Sequence, residues 1–372
     1  MAPSASLARG TAQRVRFCTA ADGTRIAYEQ SGSGPPIVKA ANWMSHLDED
    51  RDSPLWRHWL QLLADGRQLT RLDGRGYGLS DRHPRELSFD AMLSDLEAVV
   101  DAAQLPRFPI LGFCHGGPLA IAYAARHPER VSGLVLCGTY AQGQARRDPS
   151  ERGAAERELL LRTIEIGWGQ DNPAYRQVFA TKAVPEAPAE VFTSYCRIQH
   201  ASADPEAAMA LTQLFWHIDV LALLPQLRCP TLVLHATRDA LVPHEQGRLL
   251  ARSIPHARLV SLDSGNHDLL ATEPAWPVLC REVRQFLAEH DAPAVAQDGR
   301  SLSALSERER AVLEQIARGL DNEEVAAALH LSEKTVRNYV TSIFAKLELP
   351  NRSRAIVWAR DAGLGRAGDP QR

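Results

Sequence analysis

Short apolar runs alternate with amphipathic segments from residue 14 to about residue 140. The run FPILGF (108–113) is apolar throughout, which is typical of a strand buried on both faces of a sheet. The preceding segment SFDAMLSDLEAVVDAAQ (88–104) carries apolar residues at helical spacing. Near the start, two alternating segments flank Asp22-Gly23, a hairpin-type turn. The pattern predicts an α/β fold with a mostly parallel, doubly wound sheet and helices on both faces.

The alternation breaks over residues 141–222 and then resumes to about residue 290. The intervening segment has helical spacing, is highly charged at first and carries scattered aromatic residues. An insertion between two strands of a parallel sheet lies over the sheet's end. The sequence therefore predicts one α/β domain over 14–290 with a helical lid at about 141–222.

The C-terminal part has a different pattern. Residues 291–302 are small and polar without periodicity, which predicts a linker, whereas 303–364 form a compact helical pattern. Two capping boxes, Ser306 with Glu309 and Asp321 with Glu324, mark helix starts, and Ser332 caps a longer helix. We predict an all-α domain of four helices over 303–364, with tails at 1–13 and 365–372.

The helix after Ser332 has one apolar face and one polar face. The apolar face holds Val336, Val340, Ile343 and Leu347. Residues 332–360 carry six basic and two acidic side chains, whereas 305–331 carry three basic and six acidic ones. Positive charge on a polar helix face suits DNA. The side chains predicted to contact DNA are Lys334, Thr335, Arg337, Asn338, Thr341 and Lys346.

A candidate nucleophile lies at a glycine-rich turn between a strand and a helix. In Gly112-Phe113-Cys114-His115-Gly116, Cys114 has the position of the nucleophile in a G-x-S-x-G elbow. Asp239 and His267 follow two later strands, in the order nucleophile, acid, base that this fold uses. We therefore predict a catalytic set of Cys114, Asp239 and His267.

Over residues 14–290 the chain resembles the α/β-hydrolase superfamily. The likeness rests on this elbow, on LDGRGYGLSD (72–81) and on LPQLRCPTLVLHATRDALVP (224–243). It implies an oxyanion hole formed by the backbone N–H groups of Trp43 and His115. Where the family commonly carries His-Gly, this chain has Ala41-Asn42. That departure favours ligand sensing over turnover.

The C-terminal domain resembles the LuxR/FixJ-type helix-turn-helix over about 60 residues. The likeness is carried by LSERERAVLEQIARGLDNEEVAAALHLSEKTVRNYV (305–340) and KLELPNRSRAI (346–356). It implies that 322–341 span the two helices of the motif and that the last helix, 353–362, pairs two chains. An apolar patch of Ile356, Val357 and Trp358 is the candidate contact, and packing within the domain is the alternative.

Composition indicates where in the cell the protein is found and whether it holds a metal or cofactor. The chain has 372 residues and a net charge of −3, which excludes a wholly basic nucleic-acid binder but permits a local basic face. Its six cysteines include no CxxC pair, so neither a disulfide framework nor a metal site is expected. There is no apolar run of the ~20 residues that a membrane span needs. We expect a cytoplasmic protein without metal or cofactor.

These features predict a DNA-binding transcriptional regulator, acting as a homodimer on palindromic promoter DNA. Three roles remain open for its hydrolase-like domain. It could sense a small apolar ester, lactone or thioester through the cysteine site, since thiolates attack activated acyl groups. It could instead hydrolyse its own signal, or serve as a platform for protein interactions. The complete Cys114, Asp239 and His267 set disfavours the last role.

Overall fold

Eight strands of the described residues form a single sheet in the first part of the chain. They are β1 (Arg16–Thr19), β2 (Arg25–Gly32), β3 (Pro36–Lys39), β4 (Gln68–Leu72), β5 (Phe108–Phe113), β6 (Val131–Cys137), β7 (Thr231–Ala236) and β8 (Ala257–Leu262). Their order is β1-β2-β4-β3-β5-β6-β7-β8, with β2 antiparallel to both neighbours and the others parallel. The predicted mostly parallel α/β sheet is confirmed.

The structure is a computed structural model. It describes residues 15–170, 172–291, 302, 305–347, 349, 352–361 and 364–365. The chain divides into two units, one up to residue 292 and one from residue 293 on. The predicted tails and linker lie outside the described residues, apart from Asp291, Leu302 and Gly365.

Helices cover both faces of the sheet. They are α1 (Leu47–Asp52), α2 (Arg57–Ala64), α3 (Phe89–Ala102), α4 (Gly116–Arg126), five helices between β6 and β7, and then α10 (His244–Ser253) and α11 (Ala275–Glu289). Side chains of β5 alternate between two cores: Ile110 packs with α3 and α4, whereas Leu111 packs with α2 and α11. This alternation explains why the strand is apolar at every position.

Five helices and a short 3-10 segment connect β6 to β7. They are α5 (Gln144–Arg147), α6 (Glu151–Gly167), α7 (Pro173–Ala183), α8 (Ala189–Ser202) and α9 (Pro205–His217), followed by the 3-10 segment Leu221–Gln226. Side-chain caps begin α6 at Ser150 and α9 at Asp204. We call α5–α9 the lid, because residues of α8 reach the cavity described below.

The described residues of the second unit form four helices: α12 (Glu307–Ala317), α13 (Asn322–Leu329), α14 (Glu333–Lys346) and α15 (Arg352–Asp361). Both capping boxes form as the sequence predicts. The core includes Val312, Leu313, Ile316, Val325, Val336, Ile343 and Leu347. Ile356 and Trp358 pack partly against this core, which favours the internal role for these two residues. The side chain of Val357 lies outside the described part of the chain.

Glu309 joins α12 to α14. Its carboxylate accepts hydrogen bonds from Ser306 N (2.8 Å), Ser342 Oγ (2.6 Å) and Lys346 Nζ (2.8 Å). The bond to Lys346, followed by those to Ser342 and Ser306, lowers the pKa of Glu309 to about 2. One carboxylate therefore caps α12 and also fixes the position of α14.

We expect Glu309→Ala to destabilise the second unit by on the order of 2 kcal/mol, because it removes a cap and leaves two side chains of α14 without their partner. Such a loss corresponds to a roughly thirtyfold rise in the population of the unfolded state of this unit, from which its amides exchange. Amide hydrogen exchange in the full chain measures this destabilisation, which is expected to appear as faster exchange in 307–346.

The contribution of Glu309 to stability depends on pH. Because its folded pKa lies below the usual value, the stabilisation is present above pH ~4.5 and is lost as the pH falls towards 2. Glu307→Ala, exposed on the same helix, is the control. Equal exchange in the two variants would contradict this role.

Among the described residues, no helix is both long and apolar enough to span a membrane.

Candidate functional site

Cys114 lies at the sharp turn between β5 and α4. Its φ is +47°, a strained conformation for a residue other than glycine and one that nucleophile elbows adopt. The turn is tight because β5 and α4 nearly touch. A Cβ on Gly112 would come within 2.6 Å of Gly117 Cα. Cys114 directly precedes the N-cap residue of α4, and the partial positive charge of a helix N-terminus stabilises negative charge nearby.

The loops after β7 and β8 bring Asp239 and His267 together. His267 Nδ1 lies 2.7 Å from Asp239 Oδ2. Asp239 Oδ1 is held in turn by the backbone N–H groups of Leu241 and Val242, each at 2.9 Å. His267 lines the same small cavity as Cys114. Because Nδ1 is taken by the carboxylate, Nε2 is the atom of His267 that is available to the thiol, and the interaction of the two side chains contributes to the pKa of both.

The site favours a thiolate–imidazolium pair. Burial alone would raise the pKa of Cys114, but the imidazoles of His115 and His267 outweigh it and lower the pKa to about 5. Burial also opposes charge on His267, yet Asp239 and Cys114 hold its pKa well above the usual value. In contrast, burial raises the pKa of nearby Cys137 far above that of a free thiol. These shifts distinguish Cys114 from a thiol that serves only in packing.

The side chain of His115 is a feature that the sequence does not indicate. The sequence predicts a role only for the backbone N–H of His115, but its Nδ1 lies 3.2 Å from Cys114 Sγ. Its ring packs against Phe215 of the lid, with 4.3 Å between centroids. Two histidines therefore flank the thiol, and one of them contacts the lid.

The loop after β3 lies beside the elbow. A Cβ on Gly116 would meet Ala41 O at 2.8 Å, and both Asn42 and Trp43 line the cavity with Cys114. Lys39 Nζ donates to Asn42 Oδ1, and Asn42 Nδ2 donates to Met44 O at 3.3 Å. Burial lowers the pKa of Lys39 to about 8. The Asn42 side chain thus braces the loop where the family commonly has glycine. No acceptor in the described chain takes the backbone N–H of Trp43 or His115.

The cavity around Cys114 is small and is bounded on one side by Tyr195 and Ile198 of the lid. Its volume is about 30 Å³, room for one or two water molecules. The lid is tied to the catalytic loop, because His267 N donates to Ala183 O at 2.7 Å and Glu186 N donates to Asn266 Oδ1 at 2.9 Å. An acyl ligand larger than a few atoms therefore requires movement of the lid.

Two further polar side chains face this cavity. Asp268, next to His267, is 5% exposed, and Tyr195 comes from α8 of the lid. Burial raises the pKa of Asp268 to about 7 and that of Tyr195 well above 10. The sequence signal for Asp268 is its position beside the predicted base, but its orientation depends on the folded loop. In the described chain, no group of three or more His, Cys, Asp or Glu side chains is arranged to hold a metal ion.

The predicted DNA-contacting side chains divide into two groups. Lys334, Arg337, Asn338 and Thr341 are exposed on α14, and Arg337 also pairs with Glu333 at 3.3 Å. Thr335 is half-buried, with its hydroxyl 2.7 Å from that of Ser332. Lys346 is also exposed, but its ammonium pairs with Glu309 at 2.8 Å. The exposed face of α14 is thus centred on the first four residues.

Comparisons with known proteins agree with both units. A family model described as "alpha/beta hydrolase fold" matches residues 50–274, and one described as "Bacterial regulatory proteins, luxR family" matches 303–359. The chain is 24% identical to pimeloyl-(acyl-carrier protein) methyl ester esterase of Nitrosomonas europaea over 257 residues, which are 68% of this chain and 97% of that protein. It is 31% identical to the DNA-binding transcriptional activator DevR/DosR of Mycobacterium tuberculosis over 149 residues, 38% of this chain and 64% of that one. An esterase from Exiguobacterium antarcticum has the same fold, with a TM-score of 0.62, 23% identity, and 73% and 98% of the two chains covered.

Proposed function

Because the chain belongs to the α/β-hydrolase family and is a LuxR-type DNA-binding regulator, we propose that its hydrolase domain senses a small acyl compound through Cys114, His267 and Asp239. The observation that carries this proposal is a buried thiol that shares its cavity with His267, held by Asp239, and lies 3.2 Å from His115 Nδ1; these imidazoles lower its pKa. A buried cysteine that serves only in packing normally has a pKa above that of a free thiol. The ligand classes are esters, lactones and thioesters, which thiolates attack readily.

Acylation would proceed as follows. Cys114 Sγ attacks the carbonyl carbon, and an S–acyl bond forms. The carbonyl oxygen takes up the negative charge and accepts hydrogen bonds from the backbone N–H groups of Trp43 and His115. As the carbonyl re-forms, the bond to the leaving oxygen or sulfur breaks, and the leaving group takes the proton of the His267 imidazolium. Asp239 keeps that imidazole oriented throughout. The product is a thioester on Cys114.

The fate of this thioester decides between sensing and hydrolysis. Hydrolysis needs a water molecule beside the acyl group, activated by His267. A cavity of about 30 Å³ leaves little space for both while the lid is closed. We therefore favour a long-lived acyl state that signals to the DNA-binding domain. Hydrolysis of the signal is the second candidate function, which a His267 imidazole oriented by Asp239 favours.

On DNA, we propose that the protein binds palindromic promoter sites as a homodimer. Lys334, Arg337, Asn338 and Thr341 would contact the duplex, since all four are exposed on α14. A palindromic site offers two half-sites related by a two-fold axis, which suits two copies of one chain.

Intact mass spectrometry tests the acyl chemistry. Incubation of the full chain with p-nitrophenyl butyrate is expected to add one butyryl group, and Cys114→Ala is expected to add none. Cys18→Ala, which removes a half-buried thiol on β1, is the matched control and should acylate normally. A lasting adduct supports sensing, whereas repeated release of p-nitrophenol supports hydrolysis. A wild-type chain that gains no mass and releases no p-nitrophenol overturns both and favours an interaction platform.

A further inference from the structure

The carboxylate of Asp268 faces the cavity without a partner in the protein. Asp268 is 5% exposed, and its side chain makes no hydrogen bond or ion pair with any described residue. Its backbone N–H is held by Ala183 O of the lid segment, at 3.3 Å, so the loop that carries it is fixed. Buried carboxylates are normally hydrogen-bonded or paired, and an unpaired one is costly.

The surroundings of Asp268 do not supply the missing cation. Most of the other cavity-lining residues are apolar or aromatic: Trp43, Met44, Leu55, Trp56, Phe113, Ile198 and Leu241. The charged groups that act on it are His267, Cys114, Asp239 and Lys39, of which His267 and Cys114 form a pair with little net charge. Lys39 donates to Asn42, and its ammonium lies 5.0 Å from the centre of the Trp56 ring. None of these groups forms an ion pair with Asp268 in the described chain.

We propose that Asp268 is the specificity-determining residue of the site and selects acyl ligands that carry a protonated amine close to the reactive carbonyl. This inference rests on the proposed function, because it concerns the ligand of the same cavity. An ammonium group would supply the cation that the protein omits, and the apolar walls would accept the hydrocarbon part of the ligand. The pKa of about 7 fits a carboxyl group that lacks this cation.

The same charges disfavour other acyl compounds. A ligand carboxylate would face Asp268 across a cavity with low dielectric screening, where like charges repel strongly. A wholly apolar ligand would leave Asp268 buried and unpaired. Tyr195 is neutral at physiological pH and offers the ligand a hydroxyl group without a competing charge.

Two probes of almost equal shape test the proposal. The p-nitrophenyl esters of N,N-dimethylglycine and of 3-methylbutanoic acid differ by a protonated nitrogen in place of a CH group. Acylation rates of the full chain are measured by intact mass, and each is divided by the rate of the same ester with free glutathione. This division removes the intrinsic difference in reactivity between the two esters. The readout is the ratio of the two corrected rates, which we call the amine preference.

The wild-type protein is expected to prefer the amine ester, and Asp268→Asn is expected to lower the amine preference by about tenfold, or ~1.4 kcal/mol. Asp263→Asn removes a carboxylate from an exposed position of the same loop, where it pairs with Arg238, and is expected to keep the preference. Thermal unfolding of each variant checks that the fold is retained, and Asp268→Glu, which keeps the charge, is expected to keep part of the preference.

The outcomes separate this inference from the proposed function. Failure of the wild-type chain to react with either ester overturns the acyl chemistry itself. Reaction with both esters at equal corrected rates, or an amine preference that Asp268→Asn leaves unchanged, overturns the role of Asp268 alone. That role is also overturned if Asp263→Asn lowers the preference as much, since the effect would then come from general surface charge.

Discussion

Replacing His267 by alanine is expected to raise the pKa of the Cys114 thiol by at least two pH units. The folded pKa of about 5 depends on two imidazoles that offset the effect of burial. Without one of them, burial prevails, as it does at neighbouring Cys137. At pH 6 the thiolate fraction should then fall by about tenfold. In the wild-type protein we expect the thiolate to persist at neutral pH and to be lost as the pH falls through about 5.

Absorbance at 240 nm measures this change directly, because thiolates absorb there and thiols do not. A pH titration of the wild-type chain minus that of Cys114→Ser isolates the signal of one residue. The method needs no reagent inside the closed cavity, which alkylation would require. His83→Ala, which removes an exposed imidazole near Asp204, is the control and should leave the midpoint unchanged. If the midpoint moves in His115→Ala but not in His267→Ala, then His115 and not His267 lowers the pKa of the thiol. That result would overturn the proposed triad.

The double substitution Lys334→Ala with Arg337→Ala is expected to weaken DNA binding by at least tenfold at about 0.15 M salt. Both side chains are exposed on α14, and neither belongs to the core of the domain. Arg337 also pairs with Glu333, but an exposed pair of this kind contributes little to stability. Removing one phosphate contact should reduce the slope of log K against log salt by about one.

Fluorescence anisotropy with a labelled duplex from upstream of the protein's own coding sequence measures affinity over a salt series. Arg308→Ala removes one positive charge from an exposed position of α12, outside the helix-turn-helix, and is expected to keep the slope within about half a unit. Sedimentation of the complex gives the stoichiometry, expected to be two chains per palindromic site. An unchanged slope in the double variant would exclude α14 as the DNA-contacting helix.

Much of the fold follows from local patterns. The capping boxes at Ser306 and Asp321 could be predicted because each joins residues three positions apart. The doubly wound sheet could be predicted because strands buried on both faces are apolar at every position. Helix α1 (Leu47–Asp52) could not be predicted in this way, since its sequence LDEDRD is almost entirely polar. Its Asp50 is buried against Arg71 of β4, a contact that local patterns do not reveal.

The candidate site divides in the same way. Cys114, Asp239 and His267 could be proposed from their positions after strands, because the fold determines where such loops meet. The contact of the His115 ring with the thiol depends on its side-chain rotamer and on Phe215 of the lid. Asp268 is unpaired because no cation or hydrogen-bond donor of the described residues lies against its carboxylate. The absence of a partner can be recognised only from the folded structure, in which the positions of all neighbouring side chains are known.

The stacking of Trp43 on Trp168 makes the lid visible to spectroscopy. One indole belongs to the loop beside the elbow and the other to the end of α6, with centroids 5.7 Å apart and planes 11° from parallel. Closely stacked indoles couple their electronic transitions, and the near-ultraviolet circular dichroism of a protein reports such fixed aromatic packing. Separation of the lid from the elbow loop would end the coupling. The near-ultraviolet circular dichroism of the protein should therefore report lid opening without a label, and it can be recorded on the same sample as the thiolate titration.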